Sequence, residues 1–489
     1  MMNVLFVRPN DKKSIYGSLA PSISAIEPPV WALVLAAYLR EQGFAVGCLD
    51  AEVTNEDPIV SATRIEAEDP QLVCVVTLGS NLSASTWKMA GTRVLIEEIR
   101  RINPNRRIIL WGLHPSALPE QSLREEKVDF VCQGEGFQTL ALLLRSLQDE
   151  RISRADIPGL WFYDNENSAK IKHGPVAAIM ENLDSLPLPA WDLVPVSKYR
   201  AHNWHCFEDL SQRSPYATIY TSLGCPFHCS FCALHTLFGS SSVRFRSPEN
   251  VMDEIDLLVK EYGVRNIKIL DECFVLKPSH VEEICDRIIE AGYNLNIWAY
   301  ARIDTVNANL LKKLKSAGFH WLAFGIESGS SGALAGVQKN GYDRARIRRV
   351  VAETQASGIH VVGNFMFGLP ADTQQSMEET LDFAMELNCE YTNFYVTMAY
   401  PGSELYKHAI NENVRLPNSW IGYSQYSDET IGLPTTALTS EEVLRFRDFA
   451  FTHFHTSSTY LDMLTIKFGT EVAEHMRDIA AKPLKRKNI

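Results

Sequence analysis

The chain has 489 residues, 46 % of them apolar, which suits a globular protein of about two to four domains. Its 47 basic and 59 acidic side chains give a net charge of −12, and this acidic excess argues against nucleic acid as a partner. The longest apolar run, residues 30–39, is shorter than the roughly 20 residues of a membrane span, and the ten cysteines do not resemble a disulfide framework, so we expect a cytoplasmic protein without a membrane span.

Residues 1–150 alternate predicted strands with predicted helices. The strands are expected at residues 3–7, 44–49, 72–77, 107–111 and 130–132. The helices are expected at residues 31–42, 86–102 and 137–148. Because this alternation places helices on both faces of a parallel sheet, the expected fold class is α/β, beginning with a doubly wound, Rossmann-like parallel sheet.

Residues 151–214 have the composition of an extended linker. Five prolines are spread through them, together with the aromatic stretches 191–193 and 202–207. We expect this linker to lie over the surfaces of its neighbours, with its aromatic side chains lining the space between the two flanking domains.

A second series of strands and helices begins at residue 216. Strands are expected at residues 216–222, 267–270, 296–300, 321–326, 360–367 and 391–396. Helices are expected near residues 248–262, 279–291, 307–317, 343–357 and 373–387. Six βα units over residues 215–410 make a partial (β/α)6 barrel. Residues 411–489 are expected to form a small helical cap, with helical periodicity at 440–456 and 458–481.

Three cysteines gather on the loop that follows the first barrel strand: Cys225, Cys229 and Cys232. Thiolate is the usual ligand of iron-sulfur clusters and of zinc, and a four-iron cube normally takes one cysteine for each iron. Three thiols without an obvious fourth would leave one iron open to substrate. The alternatives are a set of buried cysteines and a zinc site completed by His228 or His235.

Other polar or small residues also follow barrel strands. They are Asp271, Glu272, Arg302, Glu327, Ser328 and Gly368. Carboxylates at strand ends can accept hydrogen bonds from an ammonium group or ribose hydroxyls, and a guanidinium can bind a carboxylate in a bidentate manner. The alternative for Asp271 and Glu327 is that they only cap the following helices.

The cysteine spacing, with the aromatic Phe231 just before the third cysteine, resembles the signature of the radical S-adenosylmethionine (radical SAM) enzymes. The stretches Gly325–Ser330 and Phe365–Pro370 resemble the cofactor motifs of that family's fourth and fifth strands, and Tyr400–Gly402 its substrate-side loop. The resemblance implies that the cysteines hold a [4Fe-4S] cluster whose open iron binds S-adenosylmethionine, which is then cleaved to a 5'-deoxyadenosyl radical.

Small and polar residues also follow the strands of the N-terminal sheet, where ligands bind in open parallel sheets. They are Ser80, Leu82, Gly112, His114, Gly134, Glu135 and Gly136. Each could be only a turn residue. Together they resemble a cobalamin-binding domain, although Trp111 replaces the first glycine of a Gly-Gly pair. The loop from Arg8 to Pro28 contains no histidine, so the resemblance implies cobalamin without the family's usual histidine ligand, and His114 is expected to stabilise a turn.

The expected function is that of a cobalamin-dependent radical SAM enzyme that transfers a methyl group to an unactivated carbon of a small molecule. An electron donor such as flavodoxin or ferredoxin is the expected partner, and no residue is assigned to catalysis itself. Two alternatives stay open. One is a cyclase or ring-rearranging enzyme of the same family. The other is a zinc-containing sensing or interaction module with a degenerate cobalamin fold.

Overall fold

The computed structural model describes residues 2–12, 15, 25–79, 81–164, 170–239, 242–339 and 343–487. Within these residues the N-terminal sheet has the strand order β2-β1-β3-β4-β5-β6-β7. Its strands are β1 (Val4–Arg8), β2 (Val46–Asp50), β3 (Leu72–Val76), β4 (Ile108–Trp111), β5 (Phe130–Cys132), β6 (Leu160–Tyr163) and β7 (Ile171–His173). The first five are parallel, which confirms the predicted doubly wound sheet.

Helices cover both faces of this sheet, as its fully buried strands β1 and β3 require. They are α1 (Val30–Glu41), α2 (Ala51–Thr54), α3 (Pro58–Glu68), α4 (Lys88–Ile102), α5 (Leu113–Ala117), α6 (Pro119–Glu125) and α7 (Phe137–Gln148). Helix α3 is not among the predicted helices, because it buries only Ser61, Ala62 and Ile65 and therefore has a weak apolar pattern.

The stretch expected to be a linker contributes two strands. β6 pairs antiparallel with β5, and β7 pairs antiparallel with β6. Strands of four and three residues at a sheet edge carry too short an alternation to be recognised in a sequence. The rest of the stretch crosses to the barrel, where Trp204 packs against Trp298, Trp321 and Tyr391, with ring centroids 5.0, 5.3 and 5.6 Å away. Trp204 therefore closes the N-terminal end of the barrel.

The second sheet has the order β15-β14-β13-β12-β11-β8, and its strands are all parallel. They are β8 (Tyr216–Ile219), β11 (Asn266–Ile269), β12 (Asn296–Ala301), β13 (Phe319–Glu327), β14 (His360–Phe367) and β15 (Tyr391–Val396), and a separate antiparallel pair joins β9 (Ser222–Leu223) to β10 (Arg244–Phe245). The helices are α8 (His235–Phe238), α9 (Pro248–Tyr262), α10 (Pro278–Ala291), α11 (Ala308–Ser316), α12 (Ser331–Ala335), α13 (Arg344–Ala356), α14 (Gln374–Leu387) and α15 (Glu404–Asn411). The predicted partial barrel is confirmed.

The C-terminal helices are α16 (Ser440–His455), α17 (Ser458–Phe468) and α18 (Thr470–Ala480). A single stretch predicted over 458–481 is divided at Gly469, whose φ of 92° leaves the helical region. Helix α16 packs on β15, the edge strand of the barrel, and the Arg447 guanidinium donates to the Phe394 carbonyl at 2.8 Å. No helix in the described part of the chain is both long and apolar enough to cross a membrane.

Candidate functional site

The cysteine loop leaves the C-terminal end of β8, the end at which parallel barrels carry their chemistry. Cys232 N donates to the Cys229 carbonyl at 2.9 Å, and the two histidine rings of the loop, His228 and His235, stack 4.8 Å apart. The loop is also held from outside, because Ser230 N donates to the Val337 carbonyl at 3.2 Å. All three cysteines are free and half-buried.

Burial raises the pKa of Cys225 and of Cys232 to about 12. Burial also raises the pKa of Cys229, while the positive charges of Lys339 and Arg302 oppose that rise. Thiols this weakly acidic stay protonated unless a metal displaces the proton, and a bound metal reverses this preference. Three reduced, half-buried thiols on one loop fit the predicted cluster.

The two carboxylates after β11 have different surroundings. Asp271 is buried and accepts from Thr221 N, Thr221 Oγ1 and Ser222 Oγ, each at 2.6 Å. It therefore ties the end of β11 to the end of β8. Glu272 has no hydrogen bond or ion pair with any described residue, and burial raises its pKa to about 7 against the opposing charge of Lys268. Of the two, Glu272 is the carboxylate able to take a ligand.

Arg302 follows β12 and lies beside the cysteine loop. Its guanidinium carbon is 3.6 Å from the centroid of the Phe227 ring, and its Nε donates to Asp304 Oδ1 at 2.9 Å. Stacking on an aromatic face is a geometry that favours arginine over lysine. Arg302 is thus held next to the thiols, with Phe227 fixing the plane of its guanidinium.

Glu327, at the end of β13, has a left-handed φ of 63° and is buried. Lys339 Nζ lies 2.5 Å from its Oε1. Lys339 is not among the predicted site residues, because a lysine twelve residues beyond a strand, after a short helix, carries no local signal in the sequence. Ser328 has a different environment: it is buried, and its Oγ is 3.0 Å from Thr380 Oγ1.

Two further predicted residues lie at the edge of this face of the barrel. Gly368 has a φ of 80°, and an added Cβ would lie 2.5 Å from Val443 Cγ1, so only glycine fits there. Phe231 packs against two small apolar clusters, one around Leu405 and one around Leu369. It therefore anchors the cysteine loop to the barrel rim.

The interior of the barrel is lined with neutral polar groups. Asn364 Oδ1 accepts from Asn393 Nδ2 at 3.0 Å and from the Tyr395 hydroxyl at 3.5 Å. Deeper in the barrel, Glu27 from the N-terminal region reaches Lys268 of β11, with Oε1 and Nζ 3.1 Å apart. These groups offer hydrogen bonds to a substrate, while the Glu27–Lys268 pair neutralises itself.

At the strand ends of the N-terminal sheet, glycines bring the backbone close to its neighbours. An added Cβ at Gly112 (φ 144°) would lie 2.5 Å from Thr77 Oγ1, and one at Gly136 (φ 89°) would lie 2.8 Å from Trp111 Nε1. Trp111 is buried and donates from Nε1 to the Gly134 carbonyl at 2.9 Å. Leu82 begins the 3-10 helix Leu82–Trp87 after β3, and Ser80 lies outside the described residues.

His114 and Glu135 are both buried. The His114 ring lies edge-on to Trp420 at 4.5 Å, its Nδ1 is 3.3 Å from Thr86 Oγ1, and burial lowers its pKa to about 3. Glu135 Oε1 lies 2.5 Å from the Arg244 guanidinium, which belongs to β10 of the barrel. The Gly-Glu-Gly stretch thus joins the two halves of the molecule. The ligand contacts expected of all these residues remain predictions.

Two family models match the chain. Residues 19–144 match the B12 binding domain, and residues 219–384 match the Radical SAM superfamily. The first span includes β2 to β5 of the N-terminal sheet, and the second includes most of the barrel. The chain therefore carries a B12 binding domain followed by a radical SAM domain, and the predicted cobalamin, [4Fe-4S] cluster and S-adenosylmethionine are the cofactors of these two domains.

Among curated relatives, the uncharacterized methyltransferase PH0819 of Pyrococcus horikoshii is 29 % identical over 458 residues, which cover 93 % of each chain. An anaerobic magnesium-protoporphyrin IX monomethyl ester cyclase of Cereibacter sphaeroides is 24 % identical and covers 91 % of this chain and 68 % of its own. The relatives of this enzyme thus include both methyltransferases and a cyclase.

Two solved structures share the fold. The cobalamin-dependent S-adenosylmethionine radical enzyme OxsB, with aqua-cobalamin and S-adenosylmethionine bound, superposes with a TM-score of 0.73 at 16 % identity, covering 98 % of this chain and 72 % of that one. The radical S-adenosylmethionine methyltransferase TsrM of Kitasatospora setae, with cobalamin and a [4Fe-4S] cluster bound, gives 0.66 at 21 %, covering 86 % and 76 %. At such identities the likeness concerns the fold alone.

Proposed function

We propose that this enzyme transfers a methyl group to an unactivated carbon of a small molecule. The observation that carries the proposal is the direct contact of the two halves at the cluster loop, where Ser83 Oγ of the sheet domain lies 3.0 Å from Cys232 Sγ. A carbon can receive methyl in this class only if it is held between the cobalamin side and the S-adenosylmethionine side. The meeting of both sets of strand ends at one place supports that arrangement.

Different residues of the chain would bind the cluster, S-adenosylmethionine and cobalamin. The three cysteines of the loop would hold the cluster. Glu272 has no partner among the described residues and would accept hydrogen bonds from the ammonium group of S-adenosylmethionine. Arg302 would bind the carboxylate of S-adenosylmethionine. Leu82 and the glycines after β4 and β5 would bring the backbone against cobalamin. When bound, these cofactors supply a hydrogen-abstracting radical and a transferable methyl group.

The substrate would enter the barrel interior, between the cysteine loop and the Glu27–Lys268 pair. Asn393, Tyr395 and Tyr300 offer neutral donors and acceptors there, and the Tyr300 hydroxyl has no hydrogen bond with any described residue. Burial of this interior excludes water, which protects a reactive carbon from side reactions. An electron donor such as flavodoxin or ferredoxin and a cytoplasmic location complete the proposal.

Cyclisation or ring rearrangement is the second candidate, favoured by the likeness to the cyclase over most of the chain. The experiment that separates the two uses anaerobically reconstituted enzyme, S-adenosylmethionine with a deuterated methyl group, and a fractionated extract of small metabolites. Methyl transfer predicts a product that carries the labelled methyl, with equal amounts of S-adenosylhomocysteine and 5'-deoxyadenosine. A product of unchanged carbon count, formed without S-adenosylhomocysteine, would replace methyl transfer with cyclisation.

A further inference from the structure

The 3-10 helix Leu82–Trp87 of the sheet domain touches the cysteine loop through one side chain, Ser83. Its Oγ lies 3.0 Å from Cys232 Sγ and also accepts a hydrogen bond from Ala233 N at 3.2 Å. The N–H of Ala233 occupies a lone pair of the hydroxyl and leaves the hydroxyl proton free. Ser83 is therefore oriented to donate that proton to the sulfur.

The chemistry of ligation settles the direction of this hydrogen bond. A cysteine that binds iron does so as a thiolate, which has no proton to give. Between Ser83 and a ligating Cys232, the serine is then the donor and the sulfur the acceptor. In the described part of the chain the other two cysteines lack such a partner: backbone hydrogen bonds reach Cys225 and Cys229, but no side-chain hydroxyl does.

We propose that Ser83 is a positioning residue that donates a hydrogen bond to the Cys232 thiolate and raises the reduction potential of the cluster. The physical reason is that the reduced cluster carries one more negative charge on its iron and sulfur atoms, so a donor stabilises the reduced form more than the oxidised form. The inference rests on the proposed ligation by Cys232 and is independent of the reaction that the enzyme catalyses.

The position of Ser83 also couples the two cofactor sites. It directly follows Leu82, which is expected to contact cobalamin, and both belong to one short helix. We therefore expect cobalamin bound against Leu82 to hold this helix and the Ser83 hydroxyl in place, and so to raise the potential of the cluster. Because linkage is reciprocal, the reduced cluster in turn tightens cobalamin binding.

The test compares Ser83→Ala with the wild type by anaerobic redox titration of the reconstituted cluster, followed by electron paramagnetic resonance without cobalamin. Iron content should be the same in both. At a fixed potential the ratio of reduced to oxidised cluster should fall about tenfold in the variant, equivalent to about 59 mV for one electron. Ser83→Thr keeps the hydroxyl and should restore the wild-type ratio.

Ser85→Ala is the matched control. Ser85 lies in the same 3-10 helix, donates to the Leu82 carbonyl at 2.7 Å and accepts from Gly79 N at 3.0 Å, and has no hydrogen bond to a cysteine. Its potential should equal that of the wild type. An unchanged potential in Ser83→Ala, or an equal fall in Ser85→Ala, would overturn the inference. A wild type that assembles no cluster would instead refute the proposed function.

A second measurement addresses the coupling. Titration of hydroxocobalamin into cluster-loaded protein should raise the cluster potential of the wild type, with a clearly smaller rise in Ser83→Ala. Rises of equal size in the two proteins, or none in the wild type, would overturn the coupling and leave only the hydrogen bond.

Discussion

The strand ends of the two parallel sheets hold different kinds of residue. In the N-terminal sheet, the charged side chains near the ends of β1 and β2 are paired with one another. Arg8 Nη2 lies 2.6 Å from Asp50 Oδ2, and Lys88 Nζ lies 2.8 Å from Asp11 Oδ1 and 3.0 Å from Glu52 Oε2. In the barrel, Glu327 and Arg302 are likewise paired, with Lys339 and Asp304, whereas Glu272 and the three cysteine thiols have no ion pair among the described residues. The sheet thus presents backbone and glycine surfaces, and the barrel presents reactive side chains.

This difference has a physical reason. A large cofactor that is bound by its shape needs close approach of the backbone, which glycine provides, and gains little from charged groups that must first be desolvated. A metal cluster and a charged cofactor need side chains able to change their protonation state or partner. The chain places each kind of residue in the domain whose ligand requires it.

The largest expected effect on activity comes from the removal of one thiol of the barrel. Cys229→Ala should abolish reductive cleavage of S-adenosylmethionine, because the cluster loses one of three protein ligands. The measurement is 5'-deoxyadenosine formed under dithionite, together with iron content.

Cys273→Ala is the matched control for that experiment. Cys273 follows β11 and is buried, and burial raises its pKa to about 11. Its removal should leave both the iron content and the cleavage unchanged. Full cleavage in Cys229→Ala, or loss of the cluster in Cys273→Ala, would show that the ligands are assigned to the wrong cysteines.

The contact between the two sheets gives the next largest effect. Glu135→Gln leaves the Arg244 guanidinium buried without its charge partner, and breaking a buried pair in this way costs about 3 to 5 kcal/mol. Denaturant unfolding should show this loss. The exposed pair of Arg40 and Asp192 is the control, since Asp192→Asn should cost less than about 1 kcal/mol. Equal losses would mean that the Glu135–Arg244 pair does not stabilise the junction.

Much of this junction could not be predicted from the sequence. The predicted bounds of β5, β14 and β15 agree with the structure, because each of these strands is rich in β-branched or aromatic residues. The cysteine spacing likewise marks the loop without a structure. Lys339, Ser83 and the partners of Glu135 carry no local signal, because each acquires its role only when distant parts of the chain come together. Sequence patterns report local periodicity, whereas docking depends on three-dimensional shape.

The pH dependence of stability offers a further test of the Glu27–Lys268 pair inside the barrel. Burial alone would raise the pKa of Glu27, but the charge of Lys268 and a hydrogen bond from His202 outweigh it and lower this pKa to about 2. The carboxylate therefore stabilises the fold above the unfolded pKa of 4.5, and that stabilisation is lost as the pH falls from about 4.5 to 2.

Glu27→Gln should lower the free energy of unfolding at pH 7 by about 3 kcal/mol, and its stability should fall less steeply than that of the wild type below pH 4.5. Denaturant unfolding across this pH range provides the measurement. Glu150→Gln, at an exposed position, should follow the wild type throughout. If the free energy of unfolding fell with the same slope below pH 4.5 in the wild type and in Glu27→Gln, the role given to Glu27 would be contradicted.

The smallest expected effect concerns His114, the histidine beside the proposed cobalamin pocket. Its Nε2 is buried and has no hydrogen bond within the described residues, yet the ring is packed against Trp420, and burial lowers its pKa to about 3, so it stays neutral. This packing agrees with the prediction that no histidine of the protein coordinates cobalt.

In electron paramagnetic resonance of the cob(II)alamin form, a nitrogen ligand splits each cobalt line into three. The wild type and His114→Ala should show the same spectrum without triplet splitting, although the variant loses stability because the ring leaves a cavity against Trp420. Thr86→Ala, which removes the hydroxyl beside His114 Nδ1, is the matched control and should also leave the cobalt lines unchanged. Triplets that vanish only in His114→Ala would place a cobalt ligand in the sheet domain, and the contrast between its paired side chains and the reactive ones of the barrel would no longer hold.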